Sequence, residues 1–127
     1  MDINTNDYQL DSNNYIATEH PKKHIILANT LNVGFRHFSG WKHRDNGNYK
    51  KTAPFTVLKD GTVYQHYDPK YYSSFIKNLS LSSKSIVILL ENLGWVTKDL
   101  DKNQFITWVG DIYSDQSEIF VKKWRGH

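Results

Sequence analysis

The 127-residue chain contains no cysteine. Disulfides and thiolate metal sites are excluded with it, and the redox compartment is left undecided. Long apolar runs are missing as well. The longest strictly apolar stretch, Ile86 to Leu90, is far too short to span a bilayer, so no membrane association is expected. The opening residues, MDINTNDYQLDSNN, are polar and acidic, which fits neither a secretory signal nor a membrane anchor. Neither charge sign dominates: 16 Lys and Arg stand against 13 Asp and Glu, a net charge of +3 with a pI near 9.0. That mild basic excess suits a polyanionic partner, nucleic acid or an anionic wall polymer, without indicating either.

The usual catalytic signatures are absent too. The six histidines, His20, His24, His37, His43, His66 and His127, form no H-x-x-x-H or H-E-x-x-H pair. His37 and His43 are six apart, which on a helix separates them by about 120° and puts them on different faces. They read as solvated or singly hydrogen-bonded side chains. No G-x-S-x-G, no glycine-rich phosphate loop, no internal repeat and no low-complexity tract occurs. Basic and aromatic residues interleave in FRHFSGWKHR, a pattern that reads as an amphipathic helix with Phe and Trp inward. Basic residues concentrate on no single element, so no nucleic-acid partner is expected.

What is present fits one domain with a real core. Aromatic residues make up 14% and are spread along the whole chain, which argues against disorder. Residues 1–21 read as a polar extended arm that packs through Tyr8, Leu10 and Tyr15, and residues 22–127 as the domain proper. HIILAN (24–29) reads as a buried strand. Leu31, Phe35, Phe38 and Trp41 follow at helical spacing, with Asn29, Thr30 and Asn32 as N-cap candidates. Gly34 and Gly40 leave that helix's length open. PFTVLKDGTVYQHY carries two β-rich runs around Asp60-Gly61, the strongest short hairpin signal. After a turn at Pro69, the polar KNLSLSSK leads into SIVILLENLGW (85–95), whose lack of alternation predicts burial on both faces. TKDLDKN reads as a loop and QFITWVG as a further strand. Ile119, Phe120 and Trp124 have helical spacing after a Ser117 or Asp115 cap. Interleaved strands and helices imply an α/β (α+β) fold, a mixed central sheet with helices packed on its faces.

The order of these pieces carries more than any one of them. HIILANT, an amphipathic helix, TAPFTVLKDGTVYQHYDP and then SIVILLENLGWV resemble the zinc-dependent N-acetylmuramoyl-L-alanine amidase type 2 family, which includes phage lysozyme-like amidases and peptidoglycan recognition proteins. The likeness covers about residues 22 to 96, and VKKWRGH resembles the start of the family's later helix. The Asp60-Gly61-Thr62-Val63 hairpin and the strand ending in Glu-Asn-x-Gly are its most specific pieces. The resemblance implies a zinc-binding histidine at the end of the first strand, where this chain has Ala28 followed by Asn29 and Thr30. It implies a Tyr or Ser and a His opening the hairpin strand, where the residues are Ala53-Pro54-Phe55. It aligns the catalytic glutamate with Leu89 and a second, non-catalytic acid with Glu91. The family's remaining ligands, a His and an Asp or Cys, fall beyond the helix on which this sequence ends at His127. A methyl group cannot bind zinc, so no metal and no cofactor are expected.

Three uses of such a fold follow. The first is peptidoglycan or muropeptide recognition without hydrolysis, in a groove lined by Asn29, Thr30, Asn32, Thr52, Ala53, Tyr72 and Asn92. Amides and hydroxyls there would bond a peptide stem or sugar, and Tyr72 or Trp41 would stack on a sugar face. Helix capping and core packing are the competing roles for the same residues. The second is a structural or virion component, with the sheet edge or the chain's end as an interface to a protein partner or a second copy. The third is an active amidase with a site rebuilt from His37, His43 or His66, or a fragment of a longer enzyme. Glu91, the weak catalytic candidate, is expected to anchor its turn. With no signal peptide, cytoplasmic synthesis is expected, and the resemblance adds a phage-encoded or virion-associated origin.

Overall fold

Local chemistry dictates structure most directly at the Asp60-Gly61 turn. Gly61 takes φ 88, a left-handed conformation that side chains resist, and its N–H donates to the Leu58 carbonyl at 2.9 Å. The Asp60 carboxylate accepts from the Thr62 N–H at 2.9 Å. The turn joins two strands, named in chain order with the rest: β3 (Phe55–Val57) pairs antiparallel with β4 (Val63–Gln65), Val57 opposite Val63.

The computed structural model describes residues 2–32, 34–92, 96–99, 101, 104–107 and 112–113. The chain divides into two units, residues 1–92 and 93–127. In the first, β5 (Ser85–Leu90) lies parallel to both β3 and β2 (His24–Asn29), and β1 (Ile3–Asn4) adds parallel to β4. The result is a mixed five-stranded sheet in the order β1-β4-β3-β5-β2, an α/β arrangement. Helix α1 (Arg36–His43) packs Trp41 into the core with Leu10, Ala53, Tyr67, Val87 and Leu89, and Ile26, Ala28 and Phe38 lie against that cluster. Helix α2 (Leu79–Ser83) is capped by Asn78, whose side chain accepts from the Leu81 N–H at 3.0 Å. In the second unit β6 (Val96–Asp99), β7 (Gln104–Thr107) and β8 (Ile112–Tyr113) form an antiparallel three-stranded sheet.

The arm is part of the sheet unit. Leu10 enters the core, and Asn14, 1% exposed, donates its amide to the carbonyls of Trp41 and Tyr49 at 3.1 and 3.0 Å. Ile16 pairs with Tyr72 in an isolated antiparallel bridge, and Tyr15 stacks on Tyr67 with ring centroids 4.5 Å apart.

Several sequence expectations need correction. HIILAN forms a strand, but at the edge of the sheet: Ile26 and Ala28 face the core while Ile25 and Leu27 are 69% and 65% exposed. β5 is covered better on one face than the other, with Ser85, Val87 and Leu89 buried and Leu90 exposed. Helix α1 starts at Arg36, not near Leu31, because Leu31 and Gly34 both take positive φ (56 and 63). Neither Asn29, Thr30 nor Asn32 is its N-cap; that position is Phe35, with no side-chain cap. Thr97 to Asp99, read as loop, are strand, and KNLSLSSK contains α2. The strand read over QFITWVG is present at Gln104–Thr107. The helix expected around Ile119, Phe120 and Trp124 lies outside the described residues. No helix among the described residues is long and apolar enough to cross a membrane.

Candidate functional site

The strand register sets out the site positions. Ala28 on β2 is opposite Leu89 on β5, Leu89 opposite Thr56 on β3, and Thr56 opposite Tyr64 on β4. Residues in one such row point to one face, and here it is the face covered by α1. The two positions to which the amidase resemblance assigns a metal ligand and a catalytic glutamate are therefore neighbours in space. They carry a methyl and an isobutyl group. Leu89 is 2% exposed within the hydrophobic cluster and Ala28 packs against that cluster. This pair offers zinc no donor, so the residues present do not fit the family's metal. Among the described residues no group of three or more His, Asp or Glu is placed to hold a metal ion.

Next to Leu89 in that row, Thr56 gathers two histidines that are 29 positions apart in sequence. Its hydroxyl lies 2.7 Å from His66 Nε2 and 3.2 Å from His37 Nε2. His66 Nδ1 is 2.7 Å from the carbonyl of Tyr8. A carbonyl only accepts, so His66 carries its proton on Nδ1 and its Nε2 accepts from the Thr56 hydroxyl. Thr56 oxygen in turn accepts from His37 Nε2–H, which leaves the buried Nδ1 of His37 without a hydrogen-bond partner among the described residues. Both imidazoles are neutral in this arrangement. Burial holds each pKa down at about 4, and for His37 the neighbouring His66 adds to it.

Hydroxyl, imidazole and an orienting carbonyl are the parts of an activated nucleophile. Access decides against that role: Thr56 and His66 are both 0% exposed, walled in by Phe35, Phe38 and Trp41. The trio is a buried polar link joining arm, helix and hairpin. His43, the third histidine weighed for a rebuilt site, is exposed at the end of α1 and takes no part in it.

The predicted groove residues fall into two groups at opposite ends of the sheet. β2, β5 and β3 run parallel, so Asn29, Thr30, Asn32 and Asn92 gather at their carboxyl ends, whereas Thr52 and Ala53 precede β3. At the carboxyl end the Thr30 hydroxyl donates to the Asn32 carbonyl at 2.9 Å and accepts from the Asn92 N–H at 3.4 Å. Asn32 and Asn92 form an antiparallel bridge, and Asn29 and Asn92 are exposed. At the other end Thr52 and Ala53 are 0% exposed. Thr52 Oγ1 donates to the Asn14 carbonyl at 2.6 Å, so the arm occupies the space a ligand would need there. Tyr72 is half-buried, paired with Ile16 and topped by Lys22 Nζ at 5.5 Å. Trp41, the other stacking candidate, is buried.

Glu91 closes the carboxyl-end rim. Its Oε2 accepts from the Gly34 N–H at 2.6 Å and its Oε1 from the Lys59 N–H at 3.1 Å. One carboxylate thus ties the loop before α1 and the β3–β4 turn to the end of β5. Hydrogen bonds to a charged acceptor contribute about 1.5–3 kcal/mol each in net terms, less where exposed. Glu91→Ala is expected to lower stability by about 2 kcal/mol, read from urea midpoints, and Glu91→Gln by less. An unchanged midpoint for the alanine variant would remove Glu91 from this role.

Comparisons with protein-family models, with curated proteins and with solved structures give no match.

Proposed function

We propose that the chain is a type 2 amidase-like domain that does not hydrolyse and keeps the fold for recognition of peptidoglycan or muropeptides. The carrying observation is the Ala28–Leu89 pair, in register on one face and sealed by apolar packing where the resemblance calls for a zinc ligand and a glutamate. The recognition surface in this reading is the rim of Asn29, Asn32 and Asn92. Open α/β sheets bind ligands outside the carboxyl ends of their strands, and the exposed amides of Asn29 and Asn92 can bond both donors and acceptors of a stem peptide or sugar, beside the half-buried Asn32.

Zinc content and amidase activity, measured together on protein supplemented with zinc, test the first half. Stoichiometric zinc with release of stem peptide would overturn it. Co-sedimentation with purified cell wall tests the second half. Wild type is expected in the pellet, and Asn29→Ala combined with Asn92→Ala is expected to reduce the bound fraction several-fold. A wild-type protein that stays in the supernatant rejects wall recognition.

A second reading, a structural or virion scaffold, is favoured by one specific observation. Among the described residues the sheet face away from α1 is apolar and open: Ile3, Ile25, Leu27 and Leu90 are exposed, and a groove of about 440 Å³ is lined by Ile3, Phe55, Val57, Val63 and Ile88. Single exposed apolar residues are ordinary, but a contiguous set marks an interaction surface. On this reading the protein ignores cell wall and self-associates.

A further inference from the structure

The end of the sheet at β2 makes a demand that its face alone does not. β2 is the last strand in the order β1-β4-β3-β5-β2, and six residues long. The N–H groups of His24 and Thr30 donate inward, to the carbonyls of Lys84 and Leu90 beside β5. Backbone groups alternate sides along a strand, so those of Ile25, Leu27 and Asn29 point outward from the sheet. Proteins blunt such edges with internal lysine, proline, bulges or brevity. HIILAN has none of these between His24 and Asn29. Its two outward-facing alkyl chains on the open face, Ile25 and Leu27, are also its most exposed ones, at 69% and 65%.

We propose that β2 pairs antiparallel with β2 of a second copy of this chain, about a two-fold axis at Ile26, to make one continuous sheet. Three features of the strand select this occupant. First, a two-fold axis perpendicular to the sheet keeps each face on its own side, so only residues of equal parity can sit opposite each other. Centred on Ile26, that register sets Ile25 against Leu27 of the second copy, and Leu27 against its Ile25. These are the residues whose backbone groups point outward, so each exchanges both of its main-chain bonds with its counterpart. Second, the same pairing covers the exposed alkyl chains with each other, on the open face.

Third, charge selects the direction. Lys22 and the exposed Lys23 flank the start of β2, while its last residue, Asn29, is uncharged. Parallel pairing would set Lys23 against Lys23. Antiparallel pairing sets it instead beside the uncharged Asn29 of the second copy. Self-association goes beyond wall recognition and does not depend on it: Asn29 belongs both to the rim and to the β2 edge, but Asn32 and Asn92 lie beyond the strand, and the pairing is tested at Ile25, Ile26 and Leu27, which are not rim residues.

Light scattering coupled to size exclusion on the full chain, across a concentration series, gives the test. The expected mass at high concentration is twice the 14.9 kDa of one chain. Leu27→Lys and Ile25→Lys, each at a solvent-exposed position, are expected to return the mass to that of one chain with an unchanged circular-dichroism spectrum. A cysteine at position 26, introduced as Ile26→Cys into a chain that has no other, is expected to form a disulfide-linked dimer on oxidation. A wild-type monomer at every concentration overturns the proposal. So does a dimer that both lysine variants leave intact.

Discussion

Between pH 6.5 and about pH 4 the sheet unit is expected to lose about 3 kcal/mol of folding free energy through His66 alone. The sign follows from where the proton goes. His66 is 0% exposed, donates from Nδ1 to Tyr8 and accepts at Nε2 from Thr56, so burial depresses its pKa from 6.5 to about 4. Above pH 6.5 the imidazole is neutral in both folded and unfolded chains and the bonds contribute fully. Below 6.5 the unfolded chain takes up a proton that the folded chain refuses, and each further unit favours unfolding. Near pH 4 the folded chain is protonated too and the loss levels off. His37 pushes the same way, its pKa also down at about 4, but its partial exposure lets solvent soften the effect. A loss of this size is a large part of the roughly 5–15 kcal/mol that holds a small domain. Urea unfolding at steps from pH 7 to pH 4 checks it. His66→Asn should be weaker at pH 7 and flatter across that range. A wild-type profile that is level from 6.5 to 4 would show that His66 is not buried as a neutral base.

That network also shows how far sequence reading reaches. Thr56 and His66 share a face because they lie on opposite arms of the Asp60-Gly61 hairpin at equal parity, with Thr56 paired to Tyr64. Applying the hairpin register would have brought them together. His37 could not be added that way, since its approach to Thr56 depends on how α1 crosses the sheet. The helix face carrying Phe38 and Trp41 is legible from spacing. Its start is not, because the chain before it is held by Glu91, 57 residues away. HIILAN reads alike whether it lies inside a sheet or at its edge, because apolar content records the face that is covered and is silent on lateral neighbours. α2 has five residues and too few apolar positions for a period to show. The predicted groove was split because the direction of β3 relative to β2, which sends Thr52 to one end and Asn29 to the other, is a tertiary fact.

Asn14→Ala is expected to cost about 3 kcal/mol. The Asn14 amide reaches the carbonyls of Trp41, Tyr49 and, more weakly, Gly47 at 3.4 Å, at a position 1% exposed. Its two hydrogens serve the end of α1 and the turn after it, where Asp45 and Asn46 take positive φ and leave carbonyls without helical partners. Alanine removes every donor at once, leaving the buried Trp41 carbonyl unpaired at about 1–3 kcal/mol and the part-buried carbonyls of Tyr49 and Gly47 at less. Asn14→Asp separates hydrogen bonding from packing. The shape is kept, but an ionised carboxylate would face carbonyl oxygens, so at pH 7 the loss should exceed that of alanine. On acidification the aspartate must protonate to fit. Its deficit relative to wild type is therefore expected to shrink as the pH falls, while the alanine deficit stays constant. Wild type, measured at each pH, removes the common loss through His66. If aspartate and alanine track each other at every pH, the amide is not placed against those carbonyls, and the arm is held by Leu10 and Tyr15 packing instead.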